Sequence, residues 1–293
     1  MLGGPPAFPS QPPPARDDDI RPMSAVAALL WVTCATFAFL FVGTLLVSAR
    51  EDAARDQTVL IGCQTAAYLL TLFAILRVHG PDSTIREFVG LRATHAAFYP
   101  LAAIAGGASA FWGSWLLDRI HRRFPDPDNA NRLIELFFEA TPAGRVAMGV
   151  GIVLVGPLVE ELIFRGAVFN PMTRRHPTEA VILWTSALFA VVHVEPRVLA
   201  PIFLLGLAMG FLRAASGSLV PSIAFHVAFN GVQFADLYTH DAPPPPNAPP
   251  EAMPGWQAGA GAAAFGLAML LALWLAKKSE RARAARALDR GGH

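Results

Sequence analysis

The chain has 293 residues, 54% of them hydrophobic and only 15% charged, with a formal net charge of +1. A soluble domain usually carries about 25% charged residues, so this composition, with a mean hydropathy of +0.43, excludes an ordinary soluble domain and points to a membrane protein. The near-neutral balance gives no electrostatic footprint for nucleic acid.

The first 22 residues are rich in proline (Pro5 to Pro14) and carry Asp17-Asp18-Asp19. They read as a disordered tail without a cleavable signal pattern, so the first apolar run is expected to act as an uncleaved anchor. A membrane-spanning helix needs about 20 mostly apolar residues. Eight segments approach that: Ser24–Val47, Thr58–Val78, His95–Leu117, Val146–Phe169, Ala180–His193, Leu199–Leu212, Ser218–Leu237 and Gly259–Ala276. The fifth and sixth are short and break around Glu195-Pro196, so six or seven spans are alternatives. The expected fold is an all-α polytopic bundle of about eight helices. Its transmembrane domain would cover 23–276, with a basic tail at 277–293. Cys34 and Cys63 both lie in or beside apolar spans, which suggests neither a disulfide framework nor a cysteine metal site.

The tail holds Lys277, Lys278, Arg281, Arg283, Arg286 and Arg290, while Tyr238 to Gln257 holds no Lys or Arg. The positive-inside bias then puts the tail in the cytoplasm and that Pro-rich loop outside. With eight spans the N-terminus is cytoplasmic too. Asp118 to Arg145 disagrees, because it carries Arg119, Arg122, Arg123, Arg132 and Arg145 on the side this count calls external. Within it, Arg132 to Glu139 is amphipathic and fits either the membrane interface or an ordinary surface helix. Gly206 and Gly210 form a small-xxx-small pair, expected to let the sixth span pack closely on a neighbour.

The fourth span is the chemically unusual one. Glu160, Glu161 and Arg165 sit within an apolar run, and each such group at membrane depth costs on the order of 2.5–3.5 kcal/mol on insertion scales. Helical residues four apart lie about 40° apart around the axis, and adjacent ones about 100°. Glu161 and Arg165 are therefore placed to pair, and Glu160 is left to face a cavity, with Pro157 one turn earlier able to bend the rod. Two readings are open: structural glue, or chemistry. His193 closes the next apolar span, one turn after Phe189. Ser218, Ser222, His226 and Asn230 recur every four residues and draw one polar stripe on the seventh span. Such a stripe faces protein or water rather than lipid. For the two serines, bonding between helices is the favoured reading. A Glu–His pair can activate water as general base, and a His–Asn pair can stabilise an oxyanion. Together these residues describe a peptidase site without a covalent nucleophile.

Glu160-Glu161-x-x-x-Arg165, Phe189-x-x-x-His193 and His226-x-x-x-Asn230, with Gly-Phe-Leu-Arg-x-x-x-Gly-Ser-Leu between them, resemble the three-motif signature of the CPBP family. That family comprises CAAX-protease and bacteriocin-processing intramembrane endopeptidases, and the likeness spans Val146 to Gly231. It implies a roughly eight-span bundle with a cavity open toward the membrane and cytosol. It also implies Glu160 as catalytic glutamate, His193 as its partner on water, His226 and Asn230 as the oxyanion pair, and Glu161 and Arg165 as supporting residues. The expected partners are membrane lipid and a peptide or prenylated protein substrate. The expected location is a bacterial inner membrane. No cofactor is expected; the alternative is zinc held by Glu160, His193 and His226, although no His-Glu-x-x-His helix is present. A non-catalytic binding or immunity protein using the same cavity is the main competing class. A proton-coupled transporter ranks below it, because no inverted repeat is visible.

Overall fold

The structure, a computed structural model, describes residues 20–49, 57–125, 132–242 and 252–291. The Pro-rich stretches Pro5–Pro14 and Pro243–Pro250 lie outside the described residues. All regular structure among the described residues is helical. In chain order the helices are α1 (Ala25–Ala49), α2 (Gln57–His79), α3 (Ile85–Val89), α4 (Phe98–Arg123) and α5 (Arg132–Glu139). Then follow α6 (Pro142–Thr173), α7 (Thr178–Val191), α8 (Leu199–Ser216), α9 (Val220–Asp236) and α10 (Gly255–Gly291). The protein is an integral membrane bundle, as the composition requires.

Each of the eight apolar segments forms a helix over most of its length. Five helices are long and apolar enough to cross a membrane: α1, the Thr58–His79 part of α2, α6, α8 and the Gly255–Ser279 part of α10. The other three have physical reasons for falling short. α7 and α9 have only 14 and 17 residues. α4 is long, but it is built from small and aromatic residues because it packs against α9 on one side and α10 on another. A Cβ on Gly106 of α4 would collide with the Phe225 carbonyl of α9, and one on Gly261 of α10 would meet the Ala108 carbonyl of α4. Backbones in contact leave no room for the branched side chains that raise hydropathy. Gly206 and Gly210 do the same for α8, lying against Ser186 and Ile182 of α7 as the spacing suggested.

The core draws on α1 to α4 and α6 to α10, with Phe88, Phe164, Phe225, Met209 and Leu212 fully buried. Outward-facing Phe37, Leu70 and Leu270 are 67%, 71% and 65% exposed, an apolar girdle suited to lipid rather than water. Cys34 is exposed on that surface, Cys63 is buried, and both are free thiols.

Backbone contacts fix which helix ends lie together. Met23 N–H donates to the Pro171 carbonyl, Arg21 N–H to His79 and Leu219 N–H to Gly90. The start of α1 and the ends of α2 and α6 therefore share one end of the bundle with the α8–α9 turn, which sits beside the segment leading into α4. At the opposite end Arg197, after α7, donates to the carbonyls of Phe124 and Pro125, just past α4. α5 packs there as well, with Leu136 and Phe137 buried against Met148, Phe234 and Leu237. Arg145 caps it, donating to the Phe137 carbonyl at 2.9 Å with its guanidinium over the Phe137 ring. Arg132–Glu139 is thus a docked helix at the mouth of the bundle. α10 continues without a break through the basic residues to Gly291.

Candidate active site

The site is organised by an irregular helix. α6 contains two π-helical stretches, Val150–Val155 and Leu162–Val168, around the α-helical turn Gly156–Glu161. Such i→i+5 stretches are rare and frequently mark functional sites. Gly156 N–H bonds the Gly151 carbonyl, five residues back. The next bond in that pattern would run from residue 157 to the Ile152 carbonyl, but residue 157 is proline and has no N–H. Asn230 of α9 supplies the missing donor: its Nδ2 reaches the Ile152 carbonyl at 2.8 Å. One hydrogen of the carboxamide is thereby used on the backbone, and the other is free for a ligand.

Glu161 and Arg165 pair as the spacing suggested, Nη1 to Oε1 at 2.8 Å, with both side chains 0% exposed. Arg165 also donates from Nη2 to the Gly206 carbonyl at 3.2 Å, and its guanidinium lies 4.4 Å over the Phe189 ring. Glu160, by contrast, keeps 14% of its side chain exposed. Its Oε1 accepts from Gln64 Nε2 of α2 at 2.9 Å. Buried Tyr68 lies one turn along α2 from Gln64. The motif pattern contains neither residue. The only sequence signal for Gln64 is an amide inside an apolar span, an intramembrane polar group of the kind that marks function.

His226 sits between the two carboxylates. Its Nε2 is 3.7 Å from Glu160 Oε2 and its Nδ1 is 3.3 Å from Glu161 Oε1. The second approach is off line for a straight hydrogen bond, and Nδ1 has no partner of good geometry. Neutral imidazole has one N–H, so His226 donates to one carboxylate at a time. Ser222 lies one turn earlier and faces Glu161 while donating to its own helix at the Leu219 carbonyl. Ser218 precedes α9 and bonds the Arg92 carbonyl, joining two segments. The polar stripe of α9 therefore faces the protein interior.

Phe189 is the hub of the cluster, with ring centroids 5.0 Å from His193 and 5.6 Å from His226. His193 lies past the end of α7, exposed, with Nδ1 2.8 Å from the Phe189 carbonyl. A carbonyl only accepts, so Nδ1 carries the proton and Nε2 presents a lone pair. Val194, the next residue, has a positive φ of 62°. For a β-branched residue this is a strained conformation, and it fixes the turn that presents the imidazole. The structure thus brings Glu160, Glu161, Arg165 and His226 into one contact group, with Phe189 linking His193 to it. Asn230 is one turn beyond His226.

Among the described residues no three His, Cys, Asp or Glu side chains gather as a metal-holding set. His193 holds Nδ1 on its own helix and leaves Nε2 open, while both ring nitrogens of His226 face carboxylates, so zinc on Glu160, His193 and His226 would have to displace the His226 contacts.

Fold and site define a polytopic membrane protein with a carboxylate–imidazole centre inside a helical bundle. Residues 142–232 match the family model described as Type II CAAX prenyl endopeptidase Rce1-like. That stretch holds all three motifs, and over it the chain is similar to type II CAAX prenyl endopeptidases. Helices α1 to α5 and α10 lie outside the match. No curated protein and no solved structure matches the chain.

Proposed function

We propose that the protein is a glutamate-type intramembrane endopeptidase that hydrolyses a peptide bond in a membrane-associated or lipidated peptide. The observation that carries this reading is the asymmetry of the two carboxylates. Glu161 is sealed and neutralised by Arg165, whereas Glu160 is open, oriented by Gln64 and next to an imidazole. Environments that set two neighbouring carboxylates apart assign them different roles.

Glu160 accepts a proton from water as the water oxygen attacks the scissile carbonyl carbon. The His193 Nε2 lone pair shares in orienting that water. The oxyanion accepts hydrogen bonds from His226 Nε2 and from the second Nδ2 hydrogen of Asn230. Collapse of the tetrahedral intermediate breaks the C–N bond, and the carboxylic acid of Glu160 returns its proton to the leaving amine. Glu161 and Arg165 touch neither water nor substrate; they hold His226 and Phe189.

Glu160→Gln keeps the shape and the amide-compatible contact to Gln64 but removes the base. In liposomes it should fold like wild type and lose cleavage of quenched prenylated and unprenylated peptides. Undiminished turnover in the variant contradicts the assignment. A phenotype that survives Glu160→Gln in cells, with no cleavage by either protein, favours the binding-protein class instead.

We also propose that the α10 basic segment faces the cytoplasm, in a bacterial inner membrane. His193 then lies toward the opposite side, because it shares its end of the bundle with Arg197 and Phe124. This departs from the cytosol-facing cavity that the family likeness implied.

A further inference from the structure

A cavity lies at the other end of the bundle from His193. It has a volume of about 360 Å³ and is lined by Arg92, Thr94, His95, Phe98, Ser216 and Ser279, among others. Among the described residues no acidic side chain lines it. It sits where the apolar stretch of α10 ends and Lys277, Lys278 and Arg281 begin, which is the depth of lipid headgroups.

Its cationic groups are set in place by the backbone rather than left on loose stems. The Arg92 carbonyl accepts from Ser218 Oγ, and Arg92 Nε donates to the Gly217 carbonyl at 2.7 Å. This anchors the stem and leaves the Nη end of the guanidinium for a ligand, the geometry that suits a phosphate group. His95 Nδ1 accepts from Ala97 N–H at 3.3 Å, so in the neutral ring the proton sits on Nε2, a second donor. Thr94 Oγ1 is already committed to the Ser216 carbonyl at 2.8 Å and serves as wall. Phe98 and Ala215 make one side apolar.

We propose that this pocket binds the phosphate group of an anionic phospholipid, with Arg92 and His95 as its donors, and that it seats the α8–α9 turn and α10 on the cytoplasmic leaflet. Unlike a diffuse attraction of a basic tail to the membrane, a built pocket predicts a countable, saturable lipid.

The test is native mass spectrometry of the full chain in detergent, titrated with phosphatidylglycerol or phosphatidylcholine. The expected result is one preferred phosphatidylglycerol adduct, weakened about fivefold by removing one cation in Arg92→Gln and also reduced in His95→Ala. Arg281→Gln should leave it unchanged, and both pocket variants should keep wild-type melting without lipid. Equal retention of the two lipids overturns the proposal, as does a loss no greater in the pocket variants than in Arg281→Gln. Should excess inorganic phosphate displace the lipid and bind alone, the pocket takes the free anion and the lipid source is wrong.

Discussion

Glu160 and Glu161 are adjacent in sequence yet differ in every physical respect that matters. Arg165 sits fully buried with Glu161, and removing one partner of a buried pair strands a charge, at about 3–5 kcal/mol. Arg165→Ala should therefore lower thermal stability sharply in detergent, and cleavage should vanish with the fold. A variant that melts like wild type would show the pair to be dispensable. Gln64 makes the opposite prediction. It bonds the Glu160 carboxylate from a neighbouring helix, so Gln64→Ala should leave melting nearly unchanged while slowing kcat by about tenfold, the worth of roughly 1.4 kcal/mol in orientation. Gln64→Glu, which sets a second acid beside the base, should be worse still. An unaltered kcat in both would remove Gln64 from the site. The ion pair was legible in the sequence, because i,i+4 spacing survives small changes of helical twist. The Gln64 contact was not, because nothing local relates residues 96 positions apart.

At the scale of elements, α6 shows where periodicity reading reaches its limit. A 3.6-residue ruler finds the right face for Glu161 and Arg165 but cannot register two π-helical stretches. Pro157 announced an irregularity; its consequence, an Ile152 carbonyl paired by Asn230, is visible only in three dimensions. It gives Asn230 a structural task beside the proposed catalytic one, so Asn230→Ala should lower stability as well as kcat. The packing of α8 on α7 through Gly206 and Gly210 could be read from spacing alone, whereas the approach of α4 to α9 at Gly106 has no such motif. Gly106→Leu would drive a side chain into the Phe225 backbone, one residue from His226. It should abolish both stable folding and activity; a folded, active Gly106→Leu protein would mean that the helices separate easily.

On the scale of the molecule, eight helices run alternately up and down, as the apolar segments suggested, although only five meet a strict length and hydropathy criterion. The others are short or closely packed, and a helix shielded by its neighbours need not look like a lipid-facing one. The arginines of Asp118–Arg145 are less anomalous in three dimensions than in a linear count. Arg122 pairs with Asp118 at 3.0 Å and Arg145 is tied to the Phe137 carbonyl. Reporter fusions after Arg281 and within 243–250 should report opposite sides of the membrane, the first cytoplasmic. The reverse result would put His193 on the cytoplasmic side and restore the orientation that the family likeness implied.

The most direct test of the central claim is peptide cleavage in proteoliposomes by wild type and Glu160→Gln, each with and without a strong zinc chelator. A metal-free glutamate protease requires wild-type cleavage to persist under chelation and to be absent in Glu160→Gln. Cleavage abolished by the chelator and restored by added zinc, or retained in Glu160→Gln, would contradict it.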